Sequence, residues 1–204
     1  MSTSRLESFS DGVLAVAATL LVLNVTVPIV GRHETLAHAL GNRWHIYLAY
    51  AVSFITIGII WINHHVVFSR LRIADHAILM LNLLLLLWVA LIPFATSLMT
   101  EYLRKGHGQH LAAAVYAGMF LLMSISFATL NWFILFRRTG LLRAKLSFDE
   151  RRRIIMRFVS GIVPYAVAAG LAPVSPYITL AICGAIAAFY ALPIAAGLPR
   201  GSEG

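Results

Sequence analysis

Asp11, Asn63, His64, His65 and Asn82 interrupt runs of sequence that are otherwise apolar. A charged group inside a membrane span costs about 3 kcal/mol on insertion scales, so each such residue needs a partner or a task. Metal binding suits them poorly. Neighbours such as His64 and His65 point about 100° apart on a helix, and no further ligand follows at the right spacing. His107 and His110, three apart in a loop, lack partners in the same way. There is no nucleophile–base pair, no glycine-rich phosphate loop and no HExxH, so an enzyme would have only scattered histidines to work with. What remains is hydrogen bonding. An Asp–His or Arg–Asp–His network satisfies such groups if the helices bring them to one depth. Tying helices together is a simpler role for each of them than touching a permeating species.

The elements that position these residues are membrane spans. Of 204 residues, 60% are hydrophobic and only 12% charged, with mean hydropathy +0.83. A soluble domain carries about a quarter charged residues, and this chain has too few to cover a soluble surface. The fold class is therefore an all-α integral membrane protein. A span takes about 20 apolar residues, and six can be drawn, at 9–30, 45–68, 77–99, 111–136, 154–171 and 177–198, forming a single domain over 1–204. The runs are too long and too uniform for strands. Ala15-Val16-Ala17 falls inside the first span rather than after it, and Glu7 and Asp11 spoil a cationic flank, so a cleaved signal peptide is not expected.

With the N-terminus inside, twelve Lys and Arg residues lie on that side, most of them within 137–157. Arg32, Arg43, Arg104 and Lys105 lie outside. Both termini are thus expected in the cytoplasm. The net charge of +8 follows from this bias and does not call for nucleic acid. The 137–157 segment is expected to meet anionic lipid headgroups. Trp44, Tyr47, Tyr50 and Tyr102 suit an interfacial belt, and 172–176 reads as a tight outer turn. Pro164 and Pro193 predict kinks, and 201–204 a loose end. The lone Cys183 permits no intrachain disulfide.

On a helical wheel, Val16, Thr19, Leu20, Leu23 and Val27 share one face about 100° wide. Asp11 falls on another side, near Ala15, Ala18 and Val22, whose small size there predicts close packing. One face can thus bind the helix to its own subunit while the other faces lipid, core or something else.

Arg5, Phe9-Ser10-Asp11-Gly12 and the run into Val13–Leu23 resemble the signature of the transmembrane protein 175 family of potassium channels, in its short prokaryotic form. Ile59-Ile60-Trp61-Ile62-Asn63-His64-His65 is similar to that family's second helix. Asn82 with 83–88 and Pro93 resembles its third. The resemblance implies a homotetramer of six-helix subunits in the cell membrane of a prokaryote, with the first helix of each lining a central pore. It implies apolar rings at Val16, Leu20 and Leu23, and a hydroxyl ring at Thr19, in place of a carbonyl filter. It also implies that Arg5, Phe9, Ser10, Asp11 and Gly12, with Asn63, His64 or His65, and Asn82, form the network that orients the pore helix. The permeant ion would be K⁺, held only in passing, with no cofactor and no resident metal. Val16 is smaller than the Ile or Leu expected at the first ring, which bears on the width of the narrowest point.

An apolar ring blocks ions by dewetting. K⁺ gives up its hydration more easily than Na⁺, so a narrow apolar pore can favour it. The competing reading is a proton-coupled or other secondary transporter, which needs mid-depth carboxylates and broken helices. A scaffold subunit without flux is a third reading.

Overall fold

The computed structural model describes residues 3–31 and 33–191, which are helical throughout apart from turns and loops. The chain runs α1 (Thr3–Leu20), a 3₁₀ turn (Leu21–Asn24), α2 (Leu36–Gly41), α3 (Trp44–Ser69), α4 (His76–Tyr102), α5 (Gln109–Trp132), α6 (Phe148–Val159), α7 (Ile162–Leu171) and α8 (Pro176–Ala191). By length and composition Thr3–Asn24, Trp44–Ser69, His76–Tyr102, Gln109–Arg137 and Phe148–Leu171 can each cross a bilayer, and α8 is a shorter apolar helix. Residues 192–204, which include Pro193 and the expected loose end, lie outside the described residues.

Local signals explain the helix boundaries. Asp75 caps α4 by accepting from the Ile78 N–H at 2.9 Å. Ser147 and Glu150 close a capping box on α6. Gly108 precedes α5 at φ +72°, where a side chain would also meet the Tyr102 ring at 3.0 Å, so glycine is required there. The fifth span, expected over 154–171, is two helices that break at Ser160–Gly161. Pro164 falls in the first turn of α7, where its missing N–H costs nothing. The Arg157 carbonyl at the break accepts from Ser160 Oγ at 2.8 Å and from the Tyr190 hydroxyl at 3.3 Å.

Close packing comes from small residues. Ala49, Ala95, Ala113, Ala117, Ala168 and Ala172 are buried. A Cβ on Gly184 would stand 3.3 Å from Val52, so α3 and α8 cross closely. α5 is the central helix, packed against α4, α6, α7 and α8, whereas α1 rests mainly on α3 and α4. Deep in the core Ser53 joins Thr96 Oγ1 at 2.8 Å and the Tyr116 hydroxyl at 3.0 Å, a second polar tie across α3, α4 and α5. At one end the α3–α4 and α5–α6 loops pair through a Leu71–Leu142 bridge and an Arg138–Asp75 ion pair at 2.6 Å.

Candidate functional site

The site is α1 and what holds it. Its buried residues are Thr3, Leu6, Ser10, Leu14 and Ala17, continued by Leu21 in the 3₁₀ turn. That three-and-four spacing makes one stripe against α3 and α4. Within it lies a chain of hydrogen bonds that crosses three helices. His64 Nε2 and Asn82 Oδ1 are 2.9 Å apart. Asn82 Nδ2 donates to Ser10 Oγ at 3.0 Å. Ser10 Oγ donates to the Leu6 carbonyl at 2.9 Å. An imidazole that donates from Nε2 to Asn82 Oδ1 completes the chain. Ser10 and Asn82 are fully buried and His64 is 1% exposed, so each lost bond would strand a polar atom. The Phe68 ring stacks on His64 at 4.2 Å and fixes its plane.

The histidine on this chain is His64; His65 is exposed on the next face of α3. Asp11 does not join it. Its Oδ1 accepts from Trp61 Nε1 at 3.0 Å, a separate tie between α1 and α3. Asn63 bonds back to the Ile59 carbonyl at 2.8 Å. Arg5 and Phe9 are exposed, and Gly12 has open space around it. The close packing expected on the Asp11 side is on the neighbouring side instead: Ala15 and Val22 are exposed, and a groove runs there between α1 and α3, lined by Asp11, Ala15, Ala18, Phe54, Gly58 and Trp61. Trp61 is the partner that the sequence did not reveal; the only signal was its place three residues before His64.

Val16, Leu20 and Leu23 are 57%, 44% and 71% exposed, with exposed Thr19 among them. The first span, expected to be helical to residue 30, leaves helical geometry after Asn24. Its last turn is 3₁₀, in which residues three apart eclipse, so Leu23 stands in line with Leu20. Asn24 Nδ2 pins this turn to the Pro93 carbonyl of α4 at 3.4 Å. Thr19 Oγ1 donates to the Val16 carbonyl at 2.9 Å, leaving its lone pairs free to accept. A second groove, lined by Phe9, Gly12, Val13, Val16, Leu20 and Ala90, flanks the stripe on the α4 side.

The family described as "Endosomal/lysosomal potassium channel TMEM175" matches residues 5–93. A potassium channel of Streptomyces collinus is 43% identical over 92% of this chain and 91% of its own. The chain belongs to the TMEM175 family. A crystal structure described as a lysosomal potassium-selective channel TMEM175 homolog from Chamaesiphon minutus superposes with TM-score 0.80 at 36% identity, covering 93% of this chain and 96% of that one. The all-helical membrane fold read from the sequence is thus the TMEM175 fold. A chicken relative named an endosomal/lysosomal proton channel is 39% identical over 53% of this chain and 23% of its own length. These TMEM175 relatives are named as channels, in keeping with the absence of enzyme motifs from the sequence. Among the described residues no three His, Cys, Asp or Glu side chains come together as a metal site.

Proposed function

We propose that this chain is one subunit of a homotetrameric, potassium-selective channel in which α1 of each subunit lines a central pore. The reading is carried by one observation: Val16, Thr19, Leu20 and Leu23 stand uncovered in line on a helix stapled from behind by Ser10, Asn82 and His64. A single such helix encloses nothing, so closed rotational symmetry is required. Four copies place rings of Val16, Leu20 and Leu23 around the axis. These rings exclude ions by dewetting until the pore widens or hydrates. The Thr19 oxygens replace part of the water that K⁺ sheds. Arg5, Phe9 and Gly12, exposed in the single subunit, face neighbours near the pore mouth, and Asp11 with Trp61 sets the tilt of α1 against α3. The names of the bacterial relatives, one a potassium channel and one a potassium-selective channel homolog, support K⁺ as the permeant ion.

The protein sits in the cell membrane of a prokaryote with both termini in the cytoplasm. The pairing of the arginine-rich α3–α4 and α5–α6 loops at one end supports that orientation. α6, with Arg152 and Arg153 exposed beside exposed Phe148 and Met156, suits the level of anionic headgroups. Reconstituted vesicles test the pore: Leu20→Asn and Leu23→Asn are expected to raise flux and reduce preference for K⁺ over Na⁺. Unchanged flux and selectivity in both would overturn the assignment. The name of the chicken relative favours one second reading, proton passage through the same pore, and a reversal potential that follows a pH gradient would report it. A secondary transporter would instead show flux that saturates and couples to a second ion.

A further inference from the structure

A groove lies between α5 and the α6–α7 pair. Ile125, Ala128, Thr129 and Trp132 form one wall, and Ile155 and Val159 form the other. It holds about 240 Å³, room for several methylene groups. Thr129 turns its hydroxyl back to the Ile125 carbonyl at 2.8 Å, so the wall is apolar despite the threonine. Two arginines stand at one end of the groove. α5 runs on into a five-residue π turn, Phe133–Arg137, closed by the Arg138 N–H donating to the Phe133 carbonyl at 3.1 Å. Such wide turns are rare and recur at functional sites. This one returns Arg137 over Trp132, with the guanidinium 5.6 Å from the ring centre, which holds the charge above a groove residue. Arg152 comes from the other wall. It precedes Ile155 by three residues and Val159 by seven, on the same face of α6. The two helix ends meet there: Arg151 donates to the Leu135 carbonyl at 3.3 Å and lies over the Phe136 ring. Arg137 and Arg152 are exposed, and neither pairs with an Asp or Glu among the described residues. Two like charges above an apolar groove favour an anion that carries its own apolar tail. A free hydrated anion matches the charges but not the groove.

We propose that this groove binds one anionic phospholipid of the cytoplasmic leaflet and that the bound lipid ties α6 to α5. The lipid phosphate sits between Arg137 and Arg152, and the start of an acyl chain lies along Thr129, Ile155 and Val159. The phosphate bridges charges from opposite walls, and the chain adds cover where the subunit supplies little, since the window over α6 and α7 is only 17% buried. The leaflet rests on the orientation proposed above; the groove and its charges do not.

The test uses the full-length protein, purified in detergent and equilibrated with phosphatidylglycerol and phosphatidylcholine. Native mass spectrometry counts the retained lipid and reads the oligomer mass, and thermal melting is followed with and without phosphatidylglycerol. Wild type is expected to retain phosphatidylglycerol in preference and to melt at a higher temperature when it is present. Arg137→Gln and Arg152→Gln should each weaken retention about fivefold, the value of one arginine near an anionic surface. Thr129→Phe fills the groove from an exposed position. It should lose both retention and the melting response while melting like wild type in phosphatidylcholine alone. Arg72→Gln, exposed on the α3–α4 loop, should change neither. The proposal is overturned if Arg72→Gln weakens retention as much as Arg137→Gln does, or if inorganic phosphate reproduces the melting response. Undiminished retention in Thr129→Phe would overturn it too, and loss of the oligomer in that variant would then assign the groove to a second copy of the chain. A protein that retains the lipid but passes no K⁺ would refute the pore and leave the site standing.

Discussion

The polar residues on and behind α1 divide into those that hold it and those that face the stripe. Asn82 is the pivot of the first group, since it contacts both His64 and Ser10. Asn82→Leu keeps the volume and strands two buried partners. Interhelical hydrogen bonds in membranes contribute about 1–2 kcal/mol, so this variant should lose about that much stability and melt at a lower temperature in detergent. Ser10→Ala removes only one link and should cost less. His65→Ala, on an exposed face, should melt like wild type. Thr19 belongs to the second group. Because its hydroxyl proton is held by the Val16 carbonyl, its oxygen can accept from or coordinate a cation in the proposed pore. Thr19→Val removes that oxygen at constant shape and should slow K⁺ flux about fivefold, one hydrogen bond of about 1 kcal/mol, without changing the melting temperature.

Among the helices, the starts of α4, α5 and α6 are set by local signals that the expected spans, beginning at 77, 111 and 154, did not use. Asp75, Ser147 and Gly108 each act locally. Gly108→Ala forces a side chain into left-handed backbone against the Tyr102 ring, and should destabilise the α4–α5 turn by about 1–3 kcal/mol, visible as faster proteolysis between α4 and α5. The position of the stripe on α1 was legible, because it follows from helix geometry alone. Which side of α1 is buried was not. In a membrane every face is apolar, so Ala15 and Ala18 looked as suitable for packing as Leu14 and Ala17. Only the pairing of Ser10 with Asn82 decides between them, and that is a tertiary fact. The break in the fifth span was hidden for a related reason. Pro164 pointed to a kink, but the chain breaks at Ser160–Gly161, where the Tyr190 hydroxyl, 33 residues away, takes up the freed carbonyl. The 3₁₀ end of α1 depends likewise on Asn24 reaching Pro93.

For the molecule as a whole, the uneven burial of its helices argues for assembly. Half of the α5 window is buried within the subunit, against 28% for the window over α1 and its 3₁₀ turn. The window over α6 and α7 is less covered still, at 17%, but α1 is the thinly covered helix that Ser10 and Asp11 tie from behind. A lipid-facing helix would have no need of that rigidity, whereas a pore wall does, because the ring width depends on its tilt. In the proposed tetramer the two grooves beside the stripe leave room for neighbouring copies to approach the axis from either flank. Single cysteines read this geometry directly. Cys183 is fully buried and can be replaced by Ala to give a silent background. In the proposed tetramer Leu23→Cys on that background places four thiols around the axis, and a disulfide needs Cα atoms only about 4.4–6.8 Å apart. Mild oxidation in membranes should therefore join subunits into dimers that survive denaturing gels. Leu14→Cys, buried on the stapled face, should stay monomeric under the same treatment. If Leu14→Cys cross-links and Leu23→Cys does not, α1 is turned the other way and the stripe faces lipid.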